Sequence, residues 1–324
     1  MHAALSIIIL NYNTKDLTIK CLESIIKNYK EQLEKEEFEI IVVDNDSKDG
    51  SAELIEEKFM SRHSGNQSVD RRTEHPESPT AVRDAGQAVR RPEPIRPELT
   101  ASRRLTAEWA SMTKNGNFIL IKNNENFGFA KGCNVGAKVA KGKYILFLNS
   151  DTQVLDKGFL KMMEFLEQNK QIGILGGRLL NSDLSAQPSA GKFYTMFNFL
   201  LLLIGGERFG WLRSSPEKIT NVDWVSGACF MISRKLFDRL KGFDEHFFMY
   251  MEDMELCFRA KHFGFPTYFL PDIKIIHKSL GSSTREFAVR NIDKGILYFY
   301  KKHKAYWQYL LVKTLLMLKG VIKT

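Results

Sequence analysis

No Gly-x-Gly-x-x-Gly follows the first apolar run of this chain, and no Gly-x-x-x-x-Gly-Lys-Ser/Thr occurs anywhere in it. The two absences argue against a dinucleotide oxidoreductase and against a P-loop enzyme. Cysteine is scarce: Cys21, Cys133, Cys229 and Cys257 are the whole set, none is spaced as a pair, and each has apolar neighbours. That excludes a disulfide framework or a zinc site and predicts buried free thiols in a reducing compartment. Long hydrophobic runs are missing too. The most apolar stretch, Phe197 to Ile204, is too short to cross a bilayer. The chain passes from Met-His-Ala-Ala straight into a strand, so no signal peptide is expected and the predicted location is the cytoplasm. No basic stretch with interleaved aromatics marks a nucleic-acid module, so nucleic acid is not an expected partner. The net charge of +9 fits plain solubility or an anionic partner, either nucleotide phosphates or an acidic membrane surface.

What is present is an alternation of buried strands and amphipathic helices. "LSIIIL" (5–10) and "FEIIVVD" (38–44) are continuous apolar runs, as expected of strands covered on both faces. Leu17, Cys21, Leu22, Ile25 and Ile26 recur between them at helical spacing, and a short helix is expected over Ala52 to Phe59. The pattern stops near Ser61 and resumes after Met112. The stretch 61–112 has nine arginines, no lysine and five of the nine prolines, and it reads as an insertion without packed structure. A basic partner-binding arm is the alternative. Strands at 117–123, at "KYILFLNSD" (143–151) and at 172–177 then alternate with helices, which predicts an α/β fold around a mainly parallel sheet. A strand at 222–234, a helix from about Glu252, two short strands before His277 and helix from Phe287 onward complete the reading.

Open parallel sheets bind ligands beyond the carboxyl ends of their strands. Four polar clusters fall at such ends: Asn11 to Asn13, Asp44 to Asp46, Asn123 to Asn126, and Asn149 to Asp151. Any one of them reads equally well as a turn, but together they form a polar rim that suits a nucleotide. Asp44 suits a pyrimidine imide, while Asn126 and Asn134 suit ribose or base. Asp151 is a hard oxygen ligand for magnesium or manganese beside substrate phosphates, or else a helix cap. His277 ends a strand and is either structural or a metal ligand. Glu252 and Asp253 open a helix behind the aromatic stretch "HFFMYM". They either answer the helix dipole or supply a general base whose pKa the dipole lowers.

These stretches resemble a known family. "SIIILNYN", "IIVVDNDSKDGS", "NNENFGFAKGCNVG", "YILFLNSDT", "WVSGACFMISR", "GFDEHFFMYMEDMELCFRAKHFGF" and "IIHKSLGSS" are similar to the inverting family 2 glycosyltransferases of the rhamnosyltransferase-like branch. The resemblance implies a GT-A (nucleotide-diphospho-sugar transferase) fold over 1–283, interrupted by 61–112, and a helical extension over 284–324. It implies a nucleotide-diphosphate sugar donor, often dTDP-rhamnose, a divalent cation (Mn2+ or Mg2+), and a lipid-linked saccharide or polysaccharide acceptor in cell-surface glycan synthesis. By motif, Asp44, Asn126, Gly128, Phe129 and Asn134 shape the nucleotide pocket beside Asn11, Asn13 and Asn149. Asp151 and His277 hold the metal, Asp253 is the catalytic base, Glu252 assists the acceptor, and Trp224 and Gly227 line the sugar and acceptor region. Asn149 stands where the family's Asp-x-Asp motif has its first acid. The lysine- and aromatic-rich end of the chain, with 193–212, suits either core packing or peripheral contact with the inner membrane face. A nucleotidyltransferase and an inactive nucleotide-sugar-binding scaffold are the rival readings. The enzyme reading requires Asp151 and His277 to meet at one point and Asp253 to face the same hollow.

Overall fold

The computed structural model describes residues 3–60, 111–206, 210–279 and 284–320. The chain begins with β1 (Leu5–Asn11), α1 (Lys15–Glu34), β2 (Phe38–Asp44) and α2 (Ser51–Ile55), which runs into a π-helical turn at Glu56–Met60. The next described elements are β3 (Ser111–Asn115), β4 (Phe118–Lys122), α3 (Gly128–Val139), β5 (Tyr144–Asn149), β6 (Thr152–Val154), α4 (Gly158–Gln168) and β7 (Ile174–Leu180). Short pieces follow: β8 (Ala186–Gln187), β9 (Ala190–Gly191), α5 (Met196–Leu203), β10 (Arg213–Ser214), β11 (Thr220–Val222) and β12 (Trp224–Val225). The chain then builds β13 (Cys229–Ser233), α6 (Arg234–Arg239), α7 (Glu252–His262), β14 (Thr267–His277), α8 (Arg285–His303) and α9 (Tyr306–Leu318).

One sheet carries the fold, in the order β11-β14-β7-β13-β5-β1-β2-β4-β3. β5, β1, β2 and β4 are parallel neighbours, as the continuous apolar runs predict. β13 enters antiparallel between β5 and β7, which makes the sheet mixed. Alternate side chains face opposite sides. Ile8, Ile41, Val43 and Phe147 join one apolar layer with α3, α7 and α8, while Leu5, Ile7, Ile9 and Val42 join a second with α1 and α4. Each such fully buried side chain contributes about 1.5–3 kcal/mol. All four cysteines are buried free thiols, and burial pushes Cys21, Cys229 and Cys257 up to about 12.

Register sets the polar rim. Asn11 lies opposite Asp44, Asp44 opposite Lys122, and Leu10 opposite Asn149, so these strand ends finish at one edge of the sheet.

Several elements depart from the sequence expectation. Ser111 and Met112, expected inside the insertion, pair with Lys122 and Ile121 as the start of β3. The rest of the expected insertion, 61–110, lies outside the described residues. The expected strand at 222–234 breaks into β11, β12 and β13, whereas the two short strands before His277 are one, β14, with a register shift between Leu270 and Lys274. The apolar stretch 193–212 is core in part: among its described residues Phe193, Tyr194, Phe199 and Leu212 are buried, and Phe197, Leu200, Ile204 and Trp211 are exposed. In the helical extension, Ile296, Phe299 and Tyr300 are fully buried in the main core. Among the described residues no helix is long and apolar enough to cross a membrane.

Candidate active site

A cavity of about 360 Å³ opens at the rim where β1 and β5 end. Asn126, Phe129, Asn149, Asp151, Trp224, Gly227, Glu252, Asp253 and His277 all line it. The required convergence is therefore present, and two chain segments far apart in sequence create it.

The first wall forms where β6 runs antiparallel to β14, with Thr152 opposite His277. Lys278 N–H donates to the Asp151 carbonyl at 3.1 Å and closes the pairing. The side chains then meet: His277 Nε2 lies 3.3 Å from Asp151 Oδ1 and 3.2 Å from Asn149 Nδ2. On the other side of the ring, Nδ1 lies 2.9 Å from Gln187 Oε1. No group of three histidine, cysteine or acidic side chains gathers here or elsewhere among the described residues. Two protein ligands still fit a hard divalent ion, which keeps waters and substrate phosphates in its remaining positions.

The second wall is α7. Asp253 Oδ2 accepts from Gly227 N–H at 2.9 Å and Oδ1 from Met254 N–H at 2.7 Å. Glu252 is 4% exposed and its Oε2 has no hydrogen-bond partner. The helix dipole was expected to lower the pKa of the base; burial instead raises both carboxyls. Glu252, with Oε2 unpartnered, is pushed well above its ordinary range by burial first and by the neighbouring Asp253 carboxylate second. Asp253 is raised by burial, but its two N–H donors and the nearby Arg213 guanidinium favour its charge. The pair thus joins an acid biased towards its neutral form to a carboxylate of increased basicity.

The approach to α7 is strained. Tyr250 (φ 69°) and Met251 (φ 75°) are consecutive left-handed residues without glycine's freedom, each costing about 1–3 kcal/mol. Packing holds them: Met251 is 6% exposed, and Phe129 N–H donates to the Phe248 carbonyl at 2.6 Å. Gly128 makes that approach possible, since a Cβ there would sit 2.2 Å from the Phe248 oxygen at a φ of +74°. Buried Glu255, one turn into α7, is held by Arg259, Lys302 and His303, and its carboxyl is lowered to about 2. These bonds tie α8 to α7, and α8 in turn lends Ala288 and Ile292 to the cavity.

Five predicted nucleotide residues lie outside the lining. Asn11 is fully buried and donates to Asp44 Oδ1 at 2.5 Å, while Asp44 Oδ2 accepts from Ser47 N–H at 3.0 Å. Asn13 Oδ1 accepts from Lys48 N–H at 2.7 Å. Asn134 donates to the Phe243 carbonyl and accepts from Phe243 N–H, both at 2.9 Å. Gly128 serves the Phe248 contact. Sequence reasoning missed Tyr12, Thr14, Asn45, Tyr194 and Arg213, which do line the cavity. Tyr12 and Asn45 were within flagged rim clusters, though neither was singled out. Arg213 had no motif signal: it reaches the site through the β10–β9 pairing, with its guanidinium 5.2 Å from the Trp224 ring.

The glycosyl transferase family 2 model matches residues 6–82 and 100–241, which include the rim, Asn149 and Asp151. The chain belongs to glycosyl transferase family 2. Among its relatives is the N-acetylglucosaminyl-diphospho-decaprenol L-rhamnosyltransferase of Mycobacterium tuberculosis, 24% identical over 51% of this chain and 57% of that protein. Another is the rhamnosyltransferase WbbL of Escherichia coli K12, 27% identical over 47% of this chain and 61% of that protein. The family 2 chain thus matches somewhat more than half the length of these curated relatives. Among solved structures, the mannosyltransferase PcManGT of Pyrobaculum calidifontis, in complex with GDP-Man and Mn2+, superposes with a TM-score of 0.54. It is 12% identical, over all of this chain and 77% of that one. GalNAc-T7 with UDP, GalNAc and Mn2+ gives 0.52 at 15% identity, over 92% of this chain and 50% of that one. At such identities the likeness concerns the fold, and that fold is GT-A.

Proposed function

We propose that this family 2 chain transfers a sugar from a nucleotide-diphosphate donor to an acceptor hydroxyl, with inversion at the anomeric carbon. The observation that carries the reading is the shared cavity, with the Asp151–His277 pair on one wall and Asp253 on the other. The names of the relatives favour rhamnose from dTDP-rhamnose as donor and a lipid-linked saccharide or polysaccharide as acceptor. Asn45, Asn126 and Phe129 meet the nucleotide, and Asp44, Asn11 and Asn134 support the loops that hold them. Asn13 braces the 45–48 turn in the same way.

Asp151 and His277 would hold a divalent cation. When bound, such an ion supplies positive charge to the departing diphosphate. Asp253 takes the proton of the acceptor hydroxyl as the hydroxyl attacks. Its raised pKa makes it a better base than an exposed aspartate while two N–H donors keep it oriented. Glu252, neutral, donates a hydrogen bond towards the acceptor. Trp224 and Gly227 bound the space for the sugar. Direct displacement needs no covalent enzyme intermediate.

The deciding test is manganese-dependent transfer from dTDP-rhamnose to a lipid-linked acceptor, with wild type and Asp253→Asn compared. Loss of transfer with donor binding retained supports the reading, and undiminished transfer by the variant overturns it. A scaffold reading predicts binding without transfer in wild type. Outer residues of α5 and α9, together with Trp211, extend the proposal to peripheral membrane contact; vesicle sedimentation after Trp307→Ser and Leu311→Ser, against wild type, tests it.

A further inference from the structure

Gln187 lies on the two-residue strand β8, opposite Leu179 of β7, and touches His277 at both ends of its amide. Its Nε2 lies 2.7 Å from the His277 main-chain oxygen and 2.7 Å from Asn181 Oδ1. A main-chain carbonyl only accepts, so the nitrogen of the amide must face it. The Asn181 amide is oriented in turn by its own nitrogen, which donates to Ser185 Oγ at 2.8 Å. The orientation of Gln187 follows from these acceptors, and it leaves Oε1 facing His277 Nδ1 at 2.9 Å. An amide oxygen cannot donate, so Nδ1 carries the proton. In the neutral ring, the form that ligates a metal, there is a single N–H, and Nε2 is then a bare lone pair.

That lone pair faces the cavity. Asn149 Nδ2 donates towards it from 3.2 Å, but Asp151 Oδ1, 3.3 Å away, can only accept. Two acceptors face each other across a gap that a cation completes. We infer that Gln187 is the positioning residue that sets the His277 tautomer and so aims Nε2 at the place where Asp151 would share a divalent cation, an inference that rests on the cation site proposed above. Ser279 Oγ, 3.3 Å from Nδ1, offers the opposite hold, because a hydroxyl can donate to a bare Nδ1. Without the Gln187 oxygen the ring can take the other tautomer. Its Nε2–H then donates to Asp151, and the two ligands bind each other in place of a metal. An outer partner that fixes a ligating histidine is worth about 10–100-fold in metal affinity.

The test uses the full chain without added metal, labelled with 15N-histidine. Two-bond 1H–15N correlation NMR reads the tautomer of His277, whose signal is assigned by its loss in His277→Ala. Manganese affinity is read separately by electron paramagnetic resonance titration of free Mn2+. Wild type is expected to show the Nδ1–H form. Gln187→Leu is expected to shift to Nε2–H and to bind Mn2+ about 10–100-fold more weakly. Gln187→Glu keeps an acceptor opposite Nδ1 and is expected to keep the wild-type tautomer and most of the affinity. An Nε2–H ring in wild type overturns the inference whether or not any variant folds. So does a folded Gln187→Leu chain with unchanged tautomer and affinity. If His277→Ala binds Mn2+ as tightly as wild type, the cation site itself falls, while the tautomer signal still judges the hold of Gln187 on the ring.

Discussion

The two walls of the cavity solve the problem of holding polar groups in opposite ways. On the Asp151 wall, side chains hold side chains: Asn149, Asp151, His277 and Gln187 form a chain of contacts of 2.9–3.3 Å. On the Asp253 wall the backbone and the core do the holding. Asp253 is fixed by two main-chain N–H groups, and Glu252 is enclosed without a partner for Oε2. Met254 and Leu256 anchor the helix in the core. Polar side chains held by one another at a cavity wall can take up a ligand at little cost to the fold, whereas an unpaired buried acid draws on stability that packing supplies elsewhere. The Asp151 wall is thus built to exchange partners and the Asp253 wall to stay put.

Substitutions can break or sharpen that contrast. The largest effect is expected from Asp253→Asn, which removes the base and should lower transfer by about 10²–10⁴-fold in a product assay while donor binding persists. Next is Arg259→Met, which strips a partner from the buried Glu255 carboxylate and should destabilise the chain by about 3 kcal/mol in urea unfolding. Glu255 titrates in the native state at about 2, below the unfolded value. It therefore contributes stability above the ordinary glutamate range, and that contribution is lost as pH falls towards 2. Arg259→Met should move the acid unfolding limb to higher pH. An unchanged limb would mean that Lys302 and His303 alone hold the charge.

On the other wall, Asp151→Asn should abolish the thermal shift produced by manganese with nucleotide-sugar, yet move the ligand-free melting temperature little. A large ligand-free loss would erase the contrast. The smallest effect is expected from Glu252→Gln. The folded pKa of Glu252 is raised, so the part of its cost that comes from burying charge is absent at low pH. The cost grows as pH rises through the unfolded value towards the folded one. The variant should match wild type in melting temperature near pH 4 and exceed it at pH 8.

The contrast also explains what could be read early. Residues of the Asp151 wall and the rim stand at strand ends, and a buried strand that stops at Asn149 to Asp151 announces polar work in one dimension. The apolar runs of β1, β2 and β5 sufficed for the parallel half of the sheet, because covered strands need continuous hydrophobic sequence. Gln187 and Arg213 carried no such signal. Each sits on a two-residue strand, and the side chain gains its role from a distant partner, His277 for Gln187 and Asp253 on the α7 wall of the cavity for Arg213.

The sequence by itself determined the main apolar strands, the helices between them and the identity of the polar tips, since periodicity and strand-end chemistry are local properties; the GT-A order was implied by the resemblance of its motifs to a family. Tertiary structure alone decided that His277 meets Asp151 through β6–β14 pairing, that α8 lends Ala288 and Ile292 to the cavity, and that Asp44 and Asn134 lie outside its lining. It also reversed the expected pKa of the base: a helix dipole is visible in sequence, whereas desolvation depends on what the rest of the chain packs around the group.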